Sequence, residues 1–109
     1  MREVKYIVIH CSATKEGVNV SAATIDTWHK RRGWNGIGYH KVICRNGTIQ
    51  NGRPEYWIGA HAKGVNQNSL GVCLIGRNKF SNIQNIIFCM FLSHSHFCFT
   101  RTFCCFRSN

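Results

Sequence analysis

The sequence predicts an α/β domain, a single mixed β-sheet flanked by helices. Three observations carry that expectation. A β-branched apolar run occupies residues 4–9, a capped amphipathic segment runs from Ser21 to Gly33, and apolar runs surround Asn46-Gly47 and recur at residues 69–75. Strand signals interleaved with helical ones call for a sheet covered by helices, rather than a bundle or a sandwich.

In chain order, residues 4–9 are short, apolar and β-branched, which reads as a buried strand. Ser21 is a natural N-cap for a helix through Arg32, with Gly33 as its stop. Ile25, Trp28 and His29 share one face of that helix, and Lys30, Arg31 and Arg32 sit in its last turn, where the helix dipole favours cations. Residues 39–45 and 48–52 flank Asn46-Gly47, the strongest short hairpin signal. Residues 69–75 form another apolar strand, closed by Gly76. Ser81 followed by Gln84 is a capping box that opens a second helix.

Composition narrows the function classes. At 109 residues the chain holds one core and has no room for a separate substrate domain. Apolar residues make up 44% of it, too many for a disordered chain. A formal charge of +10 favours polyanionic partners: nucleic acid, an anionic membrane face or an anionic cell wall. The N-terminus MREVKYIVIHC lacks the apolar stretch of a signal peptide, so the chain is expected to be made in the cytoplasm with its seven cysteines reduced. The run at residues 86–92 is too short to span a bilayer.

The chain changes character near residue 77. All ten glycines, the only proline, and every Trp, Tyr and acidic residue lie at or before Gly76, whereas all seven phenylalanines lie after it. Phe, Cys and Ser together are what an out-of-frame reading of pyrimidine-rich codons yields; the alternative is a Phe-rich helix packed on the core. The expected organisation is a partial domain over residues 1–84 and an aberrant Phe/Cys-rich tail over residues 85–109.

Several residues could carry chemistry. His10 ends the first strand run, a rigid mount suited to a metal ligand or a base. In Trp34-Asn35-Gly36-Ile37-Gly38-Tyr39-His40, two glycines bring backbone close to something, and Tyr39 and His40 should face opposite sides. A tyrosine hydroxyl aimed at a cleft can steady a developing oxyanion. The loop Gly59-Ala60-His61-Ala62-Lys63-Gly64-Val65-Asn66 holds a histidine and an asparagine among small residues, which suits a binding groove. There is no HExxH and no paired CxxC, so spacing alone does not point to a metal.

The ordered segments IVIHCSAT, WNGIGYHKVICRNGTIQNGR and IGAHAKGVNQNSLGVCLIG resemble the type-2 N-acetylmuramoyl-L-alanine amidases, a family that includes amidase-type phage lysozymes and peptidoglycan recognition proteins. NKFSNIQ at residues 78–84 still resembles the segment before that family's long helix. The resemblance implies the amidase fold and a zinc cofactor. It also implies cleavage of the amide between N-acetylmuramic acid and L-alanine by a zinc-bound water, as endolysins released onto the cell wall do. It casts His10 as the first zinc ligand, Tyr39 as the catalytic tyrosine beside the metal, and His61, Asn66, Asn68 and Ser69 as the substrate groove. Peptidoglycan or its muropeptides would be the partner. The family's C-terminal GH.D and CPG motifs are not found after residue 84; His94, His96 and Cys98 are the substitute ligands the tail offers. Weak or absent activity is therefore expected. The competing readings are a non-catalytic peptidoglycan-binding module and a small nucleic-acid binder using Lys30-Arg31-Arg32, a run that more often marks a solvated helix end.

Overall fold

A computed structural model describes residues 3–15, 18, 20–77 and 80–86, together with the backbone of residues 99–103. Strand β1 (Tyr6–Cys11) lies inside a five-stranded mixed sheet. Helix α1 (Ala22–Arg31), β2 (Lys41–Ile43), β3 (Ile49–Asn51), a 3-10 turn (Asn66–Asn68), β4 (Ser69–Leu74) and β5 (Phe99–Phe103) follow in the chain. The strand order is β3-β2-β4-β1-β5. β1 runs parallel to β4 and β5, β2 runs parallel to β4, and β2 and β3 pair antiparallel.

β1 lies two residues further along than the apolar run suggested. Its register is set by β4: Tyr6 pairs with Ser69 and His10 with Cys73, while Lys5 N donates to Asn68 O just outside the ladder. His10 is thus built into the strand, one residue before its end. Alternation then divides the core. Ile7 and Ile9 join Ile43, Val72 and Leu74 on one face. His10 and Cys73 are on the other, where Val20, Ile25, Ile37, Tyr39, Val42, Cys44 and Ile75 pack and Ala22 and Trp28 of the α1 segment close over them.

The helix forms as its sequence indicates. Ser21 Oγ accepts from Thr24 N, the basic last turn is present, and Ile25 and His29 are the buried positions. The hairpin forms around Asn46-Gly47 with a longer loop than a two-residue turn. Cys44 N donates to Thr48 O, Gly47 N to Cys44 O, and Gly47 takes φ of 89°, which makes Arg45-Asn46-Gly47 a three-residue loop with glycine at its left-handed position. The capping box at Ser81 is also present. Ser81 Oγ accepts from Gln84 N, and Ser81 N donates to Gln84 Oε1, opening a helical turn over residues 82–86. Gln84 Nε2 further donates to Ile43 O and Ile75 O, tying this turn to the ends of two strand segments.

Cys11, Cys44 and Cys73 are buried in the core. β5 falls within the Phe-rich segment and adds a fifth strand that the sequence reading did not expect. Among the described residues no helix is long and apolar enough to cross a membrane.

Candidate active site

The chain bends twice to bring three distant histidines and a tyrosine together. His10 Nε2 and His61 Nδ1 lie 2.9 Å apart. The Tyr39 ring stands 5.0 Å from the His10 ring, and the His40 ring 5.8 Å from that of His61. Tyr39 and His40 were expected to face opposite sides, but both precede β2 and both reach this cluster, Tyr39 against His10 and His40 against His61.

Each ring has a local cause. The bend before β2 needs its glycines: a Cβ on Gly38 would collide with the Ala60 carbonyl, and one on Gly36 would reach within 2.6 Å of Asp26 Oδ1. Asp26 Oδ1 accepts from Ile37 N, and its other oxygen pairs with Lys30 at 3.0 Å. The ammonium of Lys30 and the Ile37 amide together hold the Asp26 carboxyl below its ordinary range. His29, reaching up from α1, accepts from Gly38 N at 2.9 Å through Nδ1 and packs on the Trp34 and Tyr39 rings. Its neighbours therefore fix both the approach of the bend and the seat of Tyr39.

His40 takes a single tautomer. Gly71 N donates to its Nδ1 at 3.0 Å, so Nε2 carries the proton and donates to Trp57 O at 2.8 Å. His10 is 2% exposed, and burial lowers its pKa to about 4, so its imidazole is neutral at neutral pH. His29 is likewise held at about 4, by burial first and then by the charges of Arg32 and Arg53.

The groove residues sit deeper than a surface loop implies. His61 is 1% exposed and Ser69 fully buried, as deep as His10 and Tyr39, and Ser69 Oγ lies 3.3 Å from His61 Nε2. Asn66 Oδ1 accepts from both His61 N and Ala62 N and so shapes the turn that carries His61. Asn68 is half-buried in the 3-10 turn that leads into β4. His94, His96 and Cys98 lie outside the described residues.

Two features escaped the sequence reading. Ser12 is a clamp: its Oγ accepts from Gly76 N at 2.9 Å and bonds Thr14 Oγ1 at 2.7 Å, closing the loop after β1 against the end of β4. Beside His40, an open depression of 430 Å³ is lined by Lys41, Asn51, Arg53, Glu55 and Tyr56; Tyr56 is exposed, as is the adjacent Trp57. The signal for it was the adjacent aromatic pair Tyr56-Trp57 in a polar loop.

The donor set meets only part of what a catalytic zinc needs. His10 is a neutral buried imidazole with one nitrogen held by a neighbour, the usual state of a histidine ligand. Three protein ligands are required, however, and the described residues contain no group of three or more His, Cys, Asp or Glu side chains placed to hold a metal.

Residues 1–95 match the family model for N-acetylmuramoyl-L-alanine amidase, past residue 84, where the resemblance of the motifs ended. The chain is 54% identical over 70 residues to the endolysin of Escherichia phage T7, covering 64% of this chain and 46% of that one. It therefore spans about half the length of the phage relatives it matches. Among solved structures, an endolysin amidase from Clostridium intestinale superposes with a TM-score of 0.79 at 30% identity, over 93% of this chain and 69% of that one. The peptidoglycan recognition protein LE of Drosophila melanogaster, solved with tracheal cytotoxin, a monomeric diaminopimelic acid-type peptidoglycan, gives 0.75 at 25% identity over 95% of this chain and 69% of that one.

Proposed function

This chain belongs to the N-acetylmuramoyl-L-alanine amidase family, and we propose that it carries part of a peptidoglycan amidase site, the part that holds the first metal ligand and the catalytic tyrosine. The reaction is hydrolysis of the amide between N-acetylmuramic acid and L-alanine. The observation that carries this reading is the packing of Tyr39 against His10, the two residues that the resemblance casts as the family's catalytic tyrosine and first zinc ligand.

Zinc, when bound, supplies Lewis acidity toward the scissile carbonyl and the attacking water. The chain's own residues do the rest of what can be assigned. His10, neutral and locked in β1, presents an imidazole lone pair at a fixed point. Tyr39, seated by His29 and the Gly38 bend, directs a phenol toward the charge that develops on the carbonyl oxygen. Tyr56 and Trp57 are exposed aromatics on which a sugar ring can stack, and the basic surface suits an anionic wall.

A second reading has its own support: a muropeptide-binding module without turnover. Among the described residues His10 alone matches a family zinc ligand, and binding of muropeptide needs no metal. Zinc content and a muropeptide digest, measured on one preparation, separate the two. The chain, dialysed against trace zinc, should retain well under one equivalent and release L-alanine-terminated peptides slowly. Stoichiometric zinc that resists a chelator would overturn the incomplete-site reading. Tight muropeptide binding with no cleavage at any zinc concentration would favour the module.

A further inference from the structure

We infer that His61 is a positioning residue for His10. Its Nδ1 accepts a hydrogen bond from His10 Nε2–H, its own Nε2–H donates to Ser69 Oγ, and Nδ1 is thereby the lone-pair nitrogen that His10 presents. The inference rests on the proposed reading of His10 as the imidazole that binds or activates at this site.

The His61 ring occupies a built slot. A Cβ on Gly71 would come within 2.6 Å of its Cγ and Cδ2, and one on Gly59 within 2.6 Å of its Cδ2, so the backbone on either side can be only glycine. Asn66 Oδ1 holds the main chain at His61 and Ala62, which keeps the ring from swinging outward. Its two nitrogens meet His10 at 2.9 Å and Ser69 at 3.3 Å. His40 stands beside it but has its nitrogens engaged by Gly71 N and Trp57 O.

Direction follows from His10. Its Nε2 is committed to His61, so a coordinating or basic role falls to Nδ1, which must then be unprotonated, and the proton sits on Nε2. His61 must accept that proton at Nδ1 and carry its own on Nε2. The Ser69 hydroxyl, able to accept as well as donate, ends the series. Without His61 the His10 imidazole can exchange tautomers and turn about its ring bond. A hydrogen bond of this kind biases the population by on the order of tenfold.

The test is long-range 1H–15N correlation of the imidazoles in the 15N-labelled full chain, without metal or substrate. His10 and His61 should both show protonated Nε2 and unprotonated Nδ1. In His61→Asn the amide oxygen takes the place of the ring Nδ1 and should keep His10 in that tautomer, whereas His61→Leu should give a mixture. A His10 protonated on Nδ1 in the unaltered chain, or a His61→Leu spectrum as pure as the parent, overturns the inference. If His61→Leu does not fold, the parent spectrum alone decides. Failure to cut peptidoglycan leaves these spectra as they are, so the tautomer and the amidase reading fail separately.

Discussion

Gly71→Ala is the sharpest probe of how the site is held. An added Cβ would lie 2.6 Å from His61 Cγ and Cδ2 and 2.9 Å from its Nδ1. These atoms are the root of a ring pinned at both ends, so the clash cannot be relieved by a small rotation. Overpacking of this kind costs about 1–3 kcal/mol. Replacing a strand glycine whose φ is ordinary returns about 0.4–1 kcal/mol through the unfolded chain. The net loss is then about 1–2 kcal/mol, read as a lower urea midpoint at unchanged slope and a melting temperature lower by roughly 4 °C or more per kcal/mol. The substitution should also displace His61 and shift the His10 imidazole resonances. A variant more stable than the parent, with those resonances unmoved, would refute the slot.

Two further outcomes are expected. His10 and His29 are held at about 4 against an ordinary 6.5, so the unfolded chain binds protons that the folded chain refuses between these values. Stability should be full above about pH 6.5 and fall by on the order of a few kcal/mol as pH drops toward 4; urea midpoints flat from pH 7 to 4 would contradict this. Gln84→Leu should cost about 1–3 kcal/mol, because Ile43 O and Ile75 O each lose a buried donor. A urea midpoint unchanged from the parent would show that the turn over residues 82–86 contributes nothing to the sheet.

The α1 helix, its caps and its buried face were legible because each depends on side chains within four residues of one another. The hairpin was legible as well, although its loop gained a residue when Gly47, rather than the Asn46-Gly47 pair together, took the left-handed position. The start of β1 was misplaced because its limits are set by pairing with β4, more than 60 residues on, and local apolarity cannot report that register. His61 looked like a groove residue because its loop is small and polar. Its burial depends on the glycine inside β4, and that glycine was the available clue to a close approach. β5 had a clue too: Phe99-Thr100-Arg101-Thr102-Phe103 is β-branched with apolar ends, a strand pattern obscured by the odd composition around it. The motifs gave the order of His10, Tyr39 and His61, but only the fold shows that His10 and His61, 51 residues apart, touch.

The most direct measurement is on a repaired chain. Residues 1–84 are joined to an intact C-terminal segment from an active family member, and the products from purified peptidoglycan are identified by mass. Zinc-dependent cleavage between N-acetylmuramic acid and L-alanine is expected, slowed about a hundredfold by Tyr39→Phe and abolished, together with zinc binding, by His10→Ala. A chimera that folds and binds zinc yet leaves that bond uncut would contradict the assignment of His10 and Tyr39 to an amidase site.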